Sequence, residues 1–121
     1  MATKQDRINA VLNDLKMATS DIQGLAVISP DGMMIADQLG GAQGDAAAAM
    51  GAALGSLAKR VTDTLNVGDF QEVNIRGTKA GILLFDIEHR ASLIVTVSDR
   101  ANLGLVFLEA RQAQNQLAQL I

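Results

Sequence analysis

The residues with chemistry to offer are few and scattered. The single histidine, His89, sits between Glu88 and Arg90, and a nucleophile beside it would have to be Ser92 or Ser98. No G-x-S-x-G elbow is present to expose a serine, so a triad is not expected, and His89 reads as a solvated turn residue. Asp31 and Asp37 flank a hairpin strand as a conceivable carboxylate pair, but Asp31 is better explained as a turn former. Gly40-Gly41-Ala42-Gln43-Gly44 precedes a helical stretch whose N-terminal amides suit an anion. A phosphate loop needs G-x-x-x-x-G-K-[ST], and no Lys-Ser or Lys-Thr follows. Asp45 at the helix start repels phosphate. The run reads as a flexible connection. The chain has no cysteine, which excludes disulfides and thiolate metal sites and suits a reducing compartment. One histidine without cysteine does not build a zinc site. No catalytic, cofactor-binding or metal-ligating residue is assigned.

Charge narrows the partners. Net charge is −3, from 10 basic and 13 acidic residues, and only Lys59 and Arg60 are adjacent cations. There is no Trp, no Tyr and three Phe. Nucleic acid binding wants a basic patch with stacking aromatics, so it is not expected. With 121 residues, 49% of them hydrophobic, the chain suits one domain over residues 1–121 with a core that needs no staples. The opening MATKQDRINAV lacks the apolar stretch of a signal peptide. Apolar runs such as residues 82–85 and 93–95 are far too short to span a bilayer. A cytoplasmic protein without membrane insertion is the expectation.

The elements that must position any site follow from periodicity. Residues 4–18 predict a helix with Ile8, Val11, Leu12 and Leu15 on one stripe, opened by Thr3 and Asp6 as a capping box. Residues 24–29 and 33–37 predict a hairpin about Pro30-Asp31-Gly32. Residues 45–65 predict a second helix with Asp45 as N-cap. Residues 70–76 alternate and predict a strand with one wet face near a sheet edge. Residues 82–87 and 91–98 predict strands covered on both faces, joined by Glu88-His89-Arg90. Asp99 is the expected cap of a last helix over residues 101–120, with Leu103, Phe107, Ala110, Leu117 and Leu120 inward. The order helix, strand, strand, helix, three strands, helix predicts a three-layer α/β sandwich about a five-stranded antiparallel sheet, with helices on both faces.

The central helix carries two stripes. Met50, Leu54, Leu57, Val61 and Leu65 are expected to face the sheet. Ala48, Gly51, Ala52 and Gly55 form a stripe of very small residues. Each helical glycine costs about 1 kcal/mol relative to alanine. Close approach of a second helix would offset that cost, which makes the small stripe a candidate dimer interface. The alternative is close packing of this helix on its own sheet. Lys59, Arg60 and Asp63 read on their own as a solvated face, with cations favoured near a helix C-terminus.

This element order, with Gly24-Leu25-Ala26-Val27-Ile28, Asp31-Gly32 before Met34-Ile35-Ala36, Leu57-Ala58 near the end of an Ala-rich helix and Ala101-Asn102-Leu103-Gly104-Leu105-Val106 opening the last, resembles the roadblock/dynein light chain family over nearly the whole chain. The compact length resembles its simple prokaryotic, gliding-motility type. The resemblance implies a profilin-like sandwich and a homodimer in which the strand at residues 70–77, including Val73, Asn74 and Ile75, pairs with its copy. The central helices then lie side by side. It further implies a non-enzymatic scaffold or regulator of a Ras-like small GTPase, with Lys59, Arg60 and Asp63 toward that partner. GTPase activation is one form this takes. A structural dimerisation scaffold of a larger complex and a small-ligand sensor are the alternatives.

Overall fold

The computed structural model describes residues 1–41 and 43–121. Ala42, within the glycine-rich connection, lies outside them. Helix α1, Lys4–Ala18, begins where expected, because Thr3 Oγ1 accepts from Asp6 N and Asp6 Oδ2 accepts from Thr3 N, both at 3.0 Å. Ile8, Leu12 and Leu15 of its stripe are buried. Strands β1 (Ile22–Ile28) and β2 (Met34–Gln38) form the expected hairpin. At its turn Gly32 takes φ +86°, a conformation that side chains resist, and Ser29 N donates to Met33 O at 2.9 Å.

Helix α2 spans Gly44–Leu65. Its N-cap is Gln43, with no side-chain cap bond, so Asp45 lies in the first turn rather than at the cap. Asn66 ends the helix in a left-handed conformation at φ 58°, its N–H donating to Asp63 O. Strands β3 (Glu72–Arg76), β4 (Ala80–Ile87) and β5 (Ala91–Ser98) follow, then α3 (Leu103–Leu120). The cap of α3 is Asn102, whose side chain accepts from Leu105 N at 3.2 Å. The expected cap, Asp99, instead offers its carbonyl to Arg76 Nη2 at 3.0 Å.

The five strands form one antiparallel sheet in the order β2-β1-β5-β4-β3. Helices α1 and α3 cover one face over a core that includes Leu12, Leu25, Leu83, Phe85, Leu93, Val95 and Leu117. Helix α2 alone covers the other face over Ala26, Ile28, Phe70, Leu84 and Ile94. The three-layer sandwich expected from the element order is the fold observed.

The two edges of the sheet differ. At β2, Gln5 Nε2 of α1 donates to Ile35 O at 2.9 Å, and Gln38 Nε2 donates to Asn13 Oδ1 at 2.8 Å. The β1–β2 register also shifts between Val27 and Ile28, which bends this edge. Beyond β3 no further strand follows among the described residues. Asp86 N donates to Gln71 O and Gly77 N to Ala80 O, so odd-numbered residues bond to β4. By alternation, the backbone groups of Glu72, Asn74 and Arg76 point away from the sheet.

Candidate interaction surface

The central helix lies on the sheet through its smallest residues. A Cβ added to Gly51 would stand 2.7 Å from Cδ1 of Ile28 and 2.9 Å from Cδ1 of Ile94. At Gly55 the nearest atoms are Leu84 Cδ2 at 3.6 Å and Ser92 Oγ at 3.7 Å. Ala48 and Gly51 are buried, and Ala52 and Gly55 are half-buried. The stripe proposed for a second helix therefore meets the chain's own sheet. The reason is volume: Ile28, Leu84 and Ile94 are large, and only a helix with almost no side chains on that side seats closely against them.

The large stripe is correspondingly turned outward. Met50 is 66% exposed, Leu57 55%, Val61 48% and Leu65 67%, against the expectation that they face the sheet. Only Leu54 packs partly against the core. On the same sheet face, Val73 packs partly against that core while Ile75 and its register partner Ile82 are exposed. Val73, Asn74 and Ile75 thus lie on the open edge strand as expected, with Asn74 exposed. Helix and edge strand together leave apolar surface facing solvent where a monomer gains nothing from it. The signal for an outward Met50, Leu57 and Val61 lies in the strands: bulky residues on one sheet face need small partners across from them.

Lys59, Arg60 and Asp63 are exposed near the end of α2. Lys59 Nζ and Asp63 Oδ2 form an i,i+4 pair at 3.1 Å, with both side chains more than half exposed. Such a pair is worth at most a few tenths of a kcal/mol and leaves its charges available.

A hollow of about 210 Å³ under α2 is lined by Lys59, Ser56, Phe70, Asp86, His89 and Ser92. It brings Ser92 and His89 to one place, and leaves Ser98 elsewhere, 3.5 Å from Asp21 Oδ1. His89 itself turns to Asp86: its Nδ1 lies 3.2 Å from Oδ2, and its N–H reaches the same carboxylate at 3.2 Å. Burial pushes the Asp86 carboxyl up, while His89 opposes and Asp69 adds to the shift. Glu88 and His89 both hold positive φ, with Arg90 N donating to Ile87 O, so Asp86 acts as the brace of a tight turn. Asp31 accepts from Ser29 Oγ within its own turn. Asp37 accepts from Leu39 N at 2.9 Å, and its carboxylate lies against Gly44 at the start of α2. The anion-attracting end of α2 is already faced by a carboxylate of the chain itself. Among the described residues, no group of three or more His, Cys, Asp or Glu is placed to hold a metal. No described helix is long and apolar enough to cross a membrane.

Known proteins resemble this chain in sequence and in fold. An uncharacterized protein of Methanocaldococcus jannaschii, MJ0310, is 29% identical over 111 residues, covering 91% of this chain and 96% of its own. Among solved structures, the gliding protein mglB from Thermus thermophilus superposes with TM-score 0.88 at 21% identity, over 99% of this chain and 92% of that one. Profilin IA of Acanthamoeba castellanii superposes with TM-score 0.62 at 15% identity, over 91% and 95% of the two chains, which marks the sandwich as profilin-like. The Roadblock/LC7 domain model matches residues 9–97, from within α1 to the end of β5, and so takes in α2 and the open edge strand alike. On that match, the chain belongs to the Roadblock/LC7 family.

Proposed function

We propose that this chain is a homodimeric, non-enzymatic regulator that binds a Ras-like small GTPase in the cytoplasm. The observation that carries the reading is the coincidence of an open β3 edge with the apolar flank of α2 bearing Met50, Leu57 and Val61. Pairing two copies along β3 removes the liability of an unpaired edge and brings the two α2 helices together over the joined sheet. The apolar flank becomes the seam between them, and the outer, charged side of the helices with Lys59, Arg60 and Asp63 becomes the platform for the GTPase. The likeness to mglB structures supports this reading, as does the family match. A two-fold platform offers one partner two different views of the same residues, so one GTPase per dimer is the natural stoichiometry.

The test has two steps. Light scattering at micromolar concentration gives twice the protomer mass. Titration with a Ras-like GTPase from the same cell then saturates at one GTPase per two chains. A monomer at high micromolar concentration overturns the dimer, and absence of binding in either nucleotide state overturns the partner.

A further inference from the structure

We infer that the two copies of β3 pair antiparallel about Asn74, so that Asn74 faces itself and Glu72 faces the partner subunit's Arg76. This register rests on the dimer reading above and specifies the contact that reading leaves open.

The argument begins with which backbone groups are free to bond. Glu72, Asn74 and Arg76 point their N–H and C=O groups away from β4, because Gln71 and Gly77 bond toward it. A two-fold axis at Asn74 makes Asn74 a mutually hydrogen-bonded pair and gives Glu72 and Arg76 the same relation across the seam. Every outward group of the strand is then paired. An axis at Val73 leaves Arg76 opposite Phe70, outside the strand, and an axis at Ile75 leaves Glu72 opposite Thr78. Both forfeit one end of the ladder.

Side chains select the same axis. On the face toward α3, Glu72 stands opposite the partner subunit's Arg76 twice, once on each side of the axis. Arg76, which donates to the Asp99 carbonyl through Nη2 at 3.0 Å, has further N–H groups for the carboxylate. An axis at Glu72 or at Arg76 would instead set like charges directly opposite one another, which destabilises a strand pair. Within the chain, Glu72 Oε1 is held by Arg111 Nη2 at 2.9 Å, and Arg111 lies 5.7 Å from the Phe107 ring centre. The carboxylate is therefore fixed on the face where the second guanidinium arrives. On the face toward α2, Val73 meets the partner subunit's Ile75 at a close, non-hydrogen-bonded position. That contact covers Ile75, which is exposed in the protomer. Backbone, charge and apolar contact all favour one register.

The chain has no cysteine, so a single introduced thiol reports the register without interference. At the Asn74 axis the two Cα atoms stand about 5.5 Å apart, within the range a disulfide bridges. Two copies of residue 76 stand about 14 Å apart along the strand, which no disulfide bridges. Oxidised Asn74→Cys is expected to convert to covalent dimer almost completely. Glu72→Cys and Arg76→Cys are each expected to stay uncrosslinked alone and to crosslink when mixed. In a separate arm, Glu72→Arg weakens dimerisation about tenfold, and adding Arg76→Glu restores it.

A dimer by light scattering that crosslinks through Val73→Cys or Ile75→Cys, and not through Asn74→Cys, overturns the register while the dimer stands. A wild-type monomer at high micromolar concentration overturns the dimer and the register together.

Discussion

Gly51 of α2 lies against Ile28 of β1 so closely that a Cβ added to the glycine would stand 2.7 Å from the isoleucine Cδ1. Gly55, one turn on, has only ordinary contacts at 3.6 and 3.7 Å. Two glycines of one stripe therefore respond oppositely to substitution. Gly51→Leu forces the helix off the sheet and costs about 2 to 3 kcal/mol by overpacking. Gly55→Ala fits the space and stabilises by about 0.5 to 1 kcal/mol through helix propensity. Urea denaturation of the two variants checks both signs, and equal effects would mean that α2 is not seated through Gly51.

The outward apolar flank makes a separable prediction. Leu57 is more than half exposed and lies outside both cores, so Leu57→Asp removes little packing from the protomer. Val61→Asp behaves likewise. The pair of substitutions is expected to shift the proposed dimer to monomer at micromolar concentration while far-UV circular dichroism stays native. A collapse of the fold would show instead that these residues belong to the protomer core.

Charge reversal at Lys59 and Arg60 addresses the proposed GTPase platform. Rim charges act mainly on association rate and its salt dependence. Lys59→Glu with Arg60→Glu is expected to slow association with the GTPase several-fold at low salt and flatten the salt dependence, with dimer mass unchanged. Stopped-flow kinetics at several ionic strengths decides it, and identical association rates throughout remove these residues from the contact.

Asp86 gives a signed pH prediction. Burial raises its carboxyl above the ordinary value of 3.8, so the folded chain holds that proton to higher pH than the unfolded chain does. Between 3.8 and the raised value the folded state binds more protons, and this group's contribution falls as pH rises through that window. Above it the burial penalty is fully present, and below 3.8 it is absent. Asp86→Asn removes the titration. The stability of wild type minus that of the variant is expected to decline with pH across the acid window and level off above it. Denaturation curves at closely spaced pH values measure this, and a difference that is flat throughout contradicts it.

The sequence was most legible where local chemistry alone decides the structure. Thr3 and Asp6 set the start of α1 because both halves of the capping box form within one turn. The hairpin at Gly32 needed only a residue tolerant of positive φ. Caps depart from expectation where several polar residues compete: Asn102 takes the role expected of Asp99, and Gln43 precedes the helix in place of Asp45. The facing of α2 departs from expectation for a different reason. Side-chain size suggested that Met50 and Leu57 belong to the core, whereas the bulk of Ile28 and Ile94 on the opposing strands fills that space first. A helix's own periodicity identifies its stripes, and only the residues across from it decide which stripe is inside. The contact of Asp86 with His89 is local to one turn, whereas the pairing of Glu72 with Arg111, 39 positions apart, depends on tertiary placement and carries no local signal.

The unequal sheet edges bear on how assembly stops. An edge-to-edge contact between unlike edges repeats without end and makes a fibre, whereas a contact between like edges is consumed when it forms. Here Gln5 has already claimed the Ile35 carbonyl at β2, and the bend there tilts the strand away from a straight neighbour. On the proposed pairing, β3 is the edge through which a chain joins its copy, and joining two chains uses both. If the chain pairs through β3 as proposed, raising its concentration fills a finite particle instead of seeding a polymer, without any gatekeeping residue on β3 itself.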